Sequence, residues 1–242
     1  MRRTRLHLHE PLTEGEHAVD ADAAHYLLRV LRHRVGDALV VFDGTGLCAD
    51  AELVDADPRR CRVRVGAPRE DHTESPLSVH LGLALLRGER MDIALQKACE
   101  LGVARVSLLE TERVELRLDA KRLGKRMQHW QGVLRHAAQQ SGRSRIPELV
   151  PPAALAAFAG SLDEGHARLV MDPEGSSLGA APESAAAVLV TGPEGGLADA
   201  ELTMLADHGF QRVAFGPRVL RAETAPLVGL AVLQWCWGDL AG

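Results

Sequence analysis

Two glycine-bearing stretches in the last quarter of the chain have residue types suited to a small-molecule pocket. They are Thr191-Gly-Pro-Glu-Gly-Gly196 and Phe215-Gly-Pro-Arg-Val-Leu-Arg-Ala-Glu-Thr-Ala225. Each follows a short apolar run that reads as a buried strand, Ala187–Val190 and Gln211–Ala214. A looser third stretch, Met171-Asp-Pro-Glu-Gly175, follows Ala167–Val170 and reads as a turn. In open α/β sheets, ligands lie beyond the carboxyl ends of the strands. Glycine at such a place lets the backbone approach a ligand closely. One glycine turn after a strand is ordinary; two this rich in neighbouring units point to a ligand site. Neither is a phosphate loop or a dinucleotide fingerprint, because no Gly-Lys-Ser/Thr follows and GxGxxG is absent. Within the second stretch, Arg221 offers a rigid fork of donors suited to carbonyl oxygens. Glu223 stands two residues on and can orient it. The competing reading of these two is a plain surface ion pair.

Strands separated by helices must hold those turns. Leu77–Leu86 reads as a buried strand. Met91, Ala94, Leu95, Ala98 and Cys99 follow helical spacing, and Gly102 closes that helix. Ala104–Leu109 is a strand, residues 119–141 a long polar helix, Ala198–His208 a helix, and Pro226–Trp237 an apolar last helix. This alternation implies a parallel sheet covered on both faces. The first 65 residues differ. Asp20 caps a helix reaching to about His33, then short strands at Ala38–Phe42 and Cys61–Val65 flank tight turns, which suggests a small barrel. The expected domains are 1–70, a linker at 71–76, and 77–242.

No apolar run is long enough to span a membrane, and no signal-peptide pattern follows the basic start, so a cytoplasmic protein is expected. The four cysteines, Cys48, Cys61, Cys99 and Cys236, form no metal-like cluster, and His7 and His9 lack a third partner, so no metal is expected. Net charge is −5, but it is unevenly spread. Residues 87–148 carry 13 basic and eight acidic groups; residues 149–242 carry four and 11. A local basic face binds phosphates whatever the total charge. Arg143 and Arg145 flank Ser144 in a loop after the long helix and suit phosphate clamping. Arg87 and Arg90 resemble them, and Arg2, Arg3, Arg5 and Arg32 extend this phosphate-binding surface from the small domain.

The pair Gly192–Gly196 and Gly216–Ala225 resembles the cofactor-binding signature of the knotted SPOUT RNA methyltransferases. More narrowly, the chain is similar to the bacterial small-subunit (16S) ribosomal RNA uridine-N3 methyltransferases. Arg87–Val103, Gln140–Glu148, His25–Asp37 and Phe42-Asp-Gly44 resemble that family's other motifs, in order. Ala222 and Cys99 stand where the family usually has Thr, and Phe215 where it has Leu. The resemblance implies a PUA-like barrel at 1–70 and a trefoil knot in the α/β domain. It also implies S-adenosylmethionine as cofactor, a homodimer, and small-subunit ribosomal RNA or the assembled small subunit as partner. It assigns the cofactor to Met171, to Gly192, Pro193, Glu194, Gly195 and Gly196, to Phe215, Gly216, Val219 and Leu220, and to Thr224 and Ala225. Methylating N3 of uridine requires loss of the imide proton, and a fixed cation near the flanking carbonyls stabilises the anion. Arg221 is the candidate. The competing functions are a methyltransferase acting on another RNA such as tRNA, and a non-catalytic RNA-binding assembly factor.

Overall fold

The computed structural model describes residues 3–116, 119–178 and 184–241; Arg2 lies outside them. The chain forms two compact units. The first holds residues 1–74 and 135–146, the second 75–134 and 147–242. The first unit therefore runs through most of the expected linker and takes back a segment that the sequence places with the α/β domain.

The first unit is a six-stranded mixed sheet. Its strands are β1 (Arg5–His7), β2 (Gly15–Ala18), β3 (Ala38–Phe42), β4 (Leu47–Asp55), β5 (Arg62–Val65) and β6 (Arg69–Glu70), in the order β1-β3-β4-β5-β2, with β6 added to β4. β1 and β3 run parallel and the other pairs antiparallel. Period-two alternation is plain in β5, where buried Val63 and Val65 alternate with Arg62 and Arg64. Leu6, Leu27, Val41, Leu53 and Val63 form the core. The helix expected after Asp20 is shorter than predicted. Asp20 caps it by accepting from the Ala23 N–H at 2.9 Å, but α1 spans only Ala21–His25 before a wider turn over Tyr26–Val30.

The second unit is a six-stranded, all-parallel sheet. It contains β7 (Ser78–Ala84), β8 (Arg105–Glu110), β9 (Glu148–Ala154), β10 (Ala167–Ser176), β11 (Ala186–Thr191) and β12 (Gln211–Val213), ordered β12-β10-β11-β7-β8-β9. Helices cover both faces. α2 (Glu89–Glu100) and α6 (Ala225–Trp237) pack together, with α6 against β11 and β7; α4 (Leu155–Gly160) and α5 (Asp199–Asp207) lie on the other face. Adjacent residues of β11 serve the two layers. Val188 and Val190 join Phe158 and Leu205, while Leu189 faces α6. A Cβ on Gly229 would stand 2.6 Å from Leu189 Cδ2 and 2.9 Å from Met171 Sδ, so glycine sets the approach of α6 to the sheet. The remaining helix, α3 (Ala120–Ser141), contributes its residues to Leu134 to this unit and those from Arg135 to the first.

Candidate active site

The carboxyl ends of β10, β11 and β12 deliver their loops to one cavity of about 520 Å³. From the first loop it is lined by Gly192, Pro193, Glu194 and Gly196, and from the second by the run from Phe215 to Glu223 except Pro217, with Ala225 beyond. Met171, midway along β10, lines it together with Asp172, Pro173 and Glu174. The loops are tight because their backbones bond locally. Gly196 N–H donates to Pro193 O at 2.9 Å, and the N–H groups of Thr224 and Ala225 both donate to Arg221 O. Gly196 and Gly216 sit at φ +69° and +86°, a region in which a side chain is strained.

Of the residues assigned to the cofactor from sequence, Gly195 and Thr224 do not line the cavity. Gly195 faces elsewhere: its carbonyl accepts from Arg113 Nη1 at 3.0 Å, and a Cβ there would meet Arg113 Cβ at 3.2 Å. Thr224 stands at the N-cap position of α6, where its side chain makes no capping hydrogen bond. The Met171–Gly175 stretch is not a free turn but the irregular end of β10, whose register against β12 shifts between Met171 and Ser176. Sequence reasoning missed Arg113, Asp172 and Arg212. Arg212 lies within β12, lines the cavity and pairs with the Asp172 carboxylate. Arg113 sits three residues past β8, and the rule that ligands gather beyond strand ends would have found it.

Charges in the cavity are coupled across its two loops. Arg90 was expected at an RNA surface. Its guanidinium instead donates to Glu194 Oε1 at 3.0 Å and stands 3.9 Å from Glu223 Oε2. Burial pushes the Glu194 carboxyl up, but bonds from its own N–H, from the Arg87 N–H and from Arg90 outweigh that and hold it below the usual carboxylate range. Glu223 is largely buried, and its Oε2 has no hydrogen-bond partner. Arg221 is exposed, with Nη1 3.9 Å from Glu223 Oε1. An exposed guanidinium therefore lines the cavity beside a largely buried carboxylate, one of whose oxygens makes no hydrogen bond. These features fit a cationic, amino-bearing small molecule.

The expected RNA contacts divide sharply. Arg143 is buried and is not available to a phosphate. Its Nε lies 3.2 and 3.1 Å from the two Glu74 carboxylate oxygens, and its Nη2 lies 2.6 Å from Oε2. Arg5 is likewise turned inward, donating to Asp71 at 2.7 Å and to Ser144. Burial raises the Asp71 carboxyl, yet bonds from Ser144 and Arg5 hold it below the ordinary range. Arg3 pairs with Asp50 at 3.2 Å and Arg87 with Glu115 at 2.7 Å, both at the surface. Arg32 and Arg145 are exposed.

Fold and cavity together are those of an RNA methyltransferase. The family described as RNA methyltransferase domain matches residues 73–234, and the RNA methyltransferase PUA domain matches residues 19–66. A Legionella pneumophila methyltransferase, solved with its cofactor S-adenosylmethionine bound, superposes with a TM-score of 0.93 at 34% identity, covering 99% of this chain and 100% of that one. The ribosomal RNA small subunit methyltransferase E of Neisseria gonorrhoeae, also solved with S-adenosylmethionine, gives 0.92 at 32% identity over 99% and 100%. The enzyme of the same name from Mycobacterium bovis is 33% identical over 92% of this chain and 87% of its own. The chain belongs to this family of ribosomal RNA small subunit methyltransferases, with the SPOUT-type parallel sheet and PUA-like domain that its sequence motifs imply.

Proposed function

We propose that the chain transfers a methyl group from S-adenosylmethionine to N3 of a uridine in 16S ribosomal RNA. The observation that carries this is the one cavity built by the Gly192–Gly196 and Phe215–Ala225 loops, lined by the Glu223 carboxylate, one of whose buried oxygens makes no hydrogen bond. Relatives sharing about a third of the sequence bind S-adenosylmethionine. When bound, the sulfonium supplies an already activated methyl group. The residues of this chain have only to position and polarise. The two loops would hold the cofactor, and Glu223 supplies a carboxylate to the cavity that a cationic group would complement. Arg221 offers its fork to the uridine carbonyls flanking N3, favouring loss of the imide proton and stabilising the anion that attacks. Arg90 keeps Glu194 and Glu223, and so both loops, in register.

The reading includes three further parts. A trefoil knot is supported by the path of the chain from β11 in mid-sheet to the edge strand β12 and back as α6 against β11 and β7. A homodimer is supported by the exposed Trp235 on α6 and Leu240 just after it. A cytoplasmic site of action is supported by the nature of the RNA; no helix among the described residues is long and apolar enough to cross a membrane. The test is to incubate the protein with labelled S-adenosylmethionine and small-subunit RNA, assembled subunits, or tRNA. Label entering only the small-subunit substrates is expected. Label in tRNA, or in none, would overturn the reading.

A further inference from the structure

The first half of α3 breaks several rules of helix stability at once. Lys121, Arg122, Lys125 and Arg126 crowd its first two turns, all exposed. The backbone dipole makes that end positive, so cations there oppose it. Lys121 and Lys125, and Arg122 and Arg126, stand four residues apart, where like charges repel. No acidic residue occurs between Ala120 and Ser141 to offset them. The cap, Asp119, accepts from the Arg122 N–H at 2.8 Å and pairs with its guanidinium at 3.4 Å. Lys121, Lys125 and Arg126 pair with no carboxylate among the described residues. Elsewhere in the same unit, Arg87, Arg90, Lys97 and Arg105 are each matched to a glutamate, while the exposed cations without a carboxylate partner among the described residues include Arg113 and Arg218, which line the cavity.

Glycine adds to the conflict. Gly124 and Gly132 lie inside the helix, where glycine is a poor former. A Cβ at either would meet nothing within 4 Å, and neither has a positive φ. Packing and backbone geometry therefore do not require them. The inward side is ordinary, with Trp130 and Leu134 fully buried. The two lysines and both glycines lie on the outward side, where Lys121, Lys125, Gln128 and Gly132 succeed one another at helical spacing over about 16 Å, whereas Arg126, four residues before Trp130, borders the packed side. Local choices that cost stability without a structural return are expected at functional surfaces.

We propose that this outward face of α3, from Lys121 to Gly132, lies along the phosphate backbone of the RNA substrate. Unpaired cations repelling one another are satisfied together by a polyanion, and absent side chains at the two glycines let a phosphodiester chain come close. The proposal rests on the RNA-methylating function above and names the surface that Arg143 and Arg5, both turned inward, do not supply.

The test uses the full-length protein carrying K121Q/K125Q, and separately G124A. Binding of a fluorescent small-subunit RNA fragment is followed between about 50 and 200 mM salt. Losing two phosphate contacts should flatten the plot of log affinity against log salt by about 1.4–1.8, at about 0.7–0.9 per contact. KM for RNA should rise about tenfold or more, while affinity for S-adenosylmethionine stays as in the parent. Neither variant should melt lower than the parent, since repulsion or glycine has been removed; G124A should melt slightly higher yet bind RNA less well. An unchanged salt slope and KM, with the parent methylating its RNA, overturns the surface alone. Loss of binding confined to assembled subunits gives the face to a ribosomal protein, and altered self-association with unchanged RNA binding gives it to a second copy; both overturn the proposal. A parent that methylates none of the RNAs overturns the underlying function as well.

Discussion

Arg143 illustrates how a residue type that suggests RNA contact can be committed to structure instead, and its removal has a calculable cost. The side chain is only 6% exposed and its Glu74 partner 19%. Three nitrogen–oxygen contacts of 2.6–3.2 Å join them. Arg143→Ala leaves the Glu74 carboxylate with a weaker bond, from the Arg145 N–H at 3.3 Å. Removing one partner of a buried pair costs about 3–5 kcal/mol, because the other charge is stranded. Partial exposure of Glu74 lets water reach it and argues for the lower end, about 3 kcal/mol. For a chain of this size that is a drop in Tm of roughly 6–12 °C, at about 2–4 °C per kcal/mol. The assay is urea and thermal unfolding, with hydrogen exchange on β3 and β4 to report the first unit by itself. The double replacement Arg143→Met with Glu74→Met should lose less than Arg143→Ala, although it changes two residues, because no charge is stranded. An Arg143→Ala protein as stable as the parent, but binding RNA with a flatter salt dependence, would refute this reasoning and return the residue to the RNA.

Two further outcomes follow from the site and the core. Arg221→Lys keeps a charge but loses the fork. Turnover should fall about a hundredfold, the scale of a lost oxyanion donor, with cofactor and RNA affinities nearly preserved. Raising the pH should restore part of it, because more uridine is already ionised; a loss wholly in cofactor affinity without rescue would make Arg221 a binding residue. His80 is held at a pKa of about 4 by burial, then by Arg105 and His166, against 6.5 when unfolded. Its neutral form is favoured in the fold, so its contribution is fully present above pH 6.5 and is lost as pH falls toward 4. His80→Gln should therefore show a shallower fall in Tm between pH 6.5 and 4.5, and equal slopes in the two proteins would contradict it. His7, also lowered to about 4, keeps some slope in the variant.

What could be read in the sequence was set by short-range pattern. The buried positions of α2, Met91, Ala94, Leu95, Ala98 and Cys99, are those of the helical spacing, and β3 has its expected ends. Both cavity loops were legible because glycine after an apolar run has few other uses. β9 was not, because Pro151 and Pro152 argue against a strand; they are tolerated since β9 is an edge of the sheet. The extension of β10 through Pro173 to Ser176 was hidden for a similar reason, behind its register shift. The return of residues 135–146 to the first unit depends on the bonds of Glu74 and Asp71 to Arg143 and Ser144, about 70 positions away, which no local pattern encodes. The same distance in sequence concealed that Arg90 belongs with Glu194 and Glu223.

The claim that the cavity supports methylation of a uridine base, rather than binding alone, is tested most directly on the product. Small-subunit ribosomal RNA treated with the protein and isotopically labelled S-adenosylmethionine is digested to nucleosides and separated by mass and retention. The account predicts label in N3-methyluridine only, with reverse transcription halting at a single site because the pairing edge is blocked. Label on a ribose 2′-oxygen, on the C5 carbon, or on a different base would contradict it.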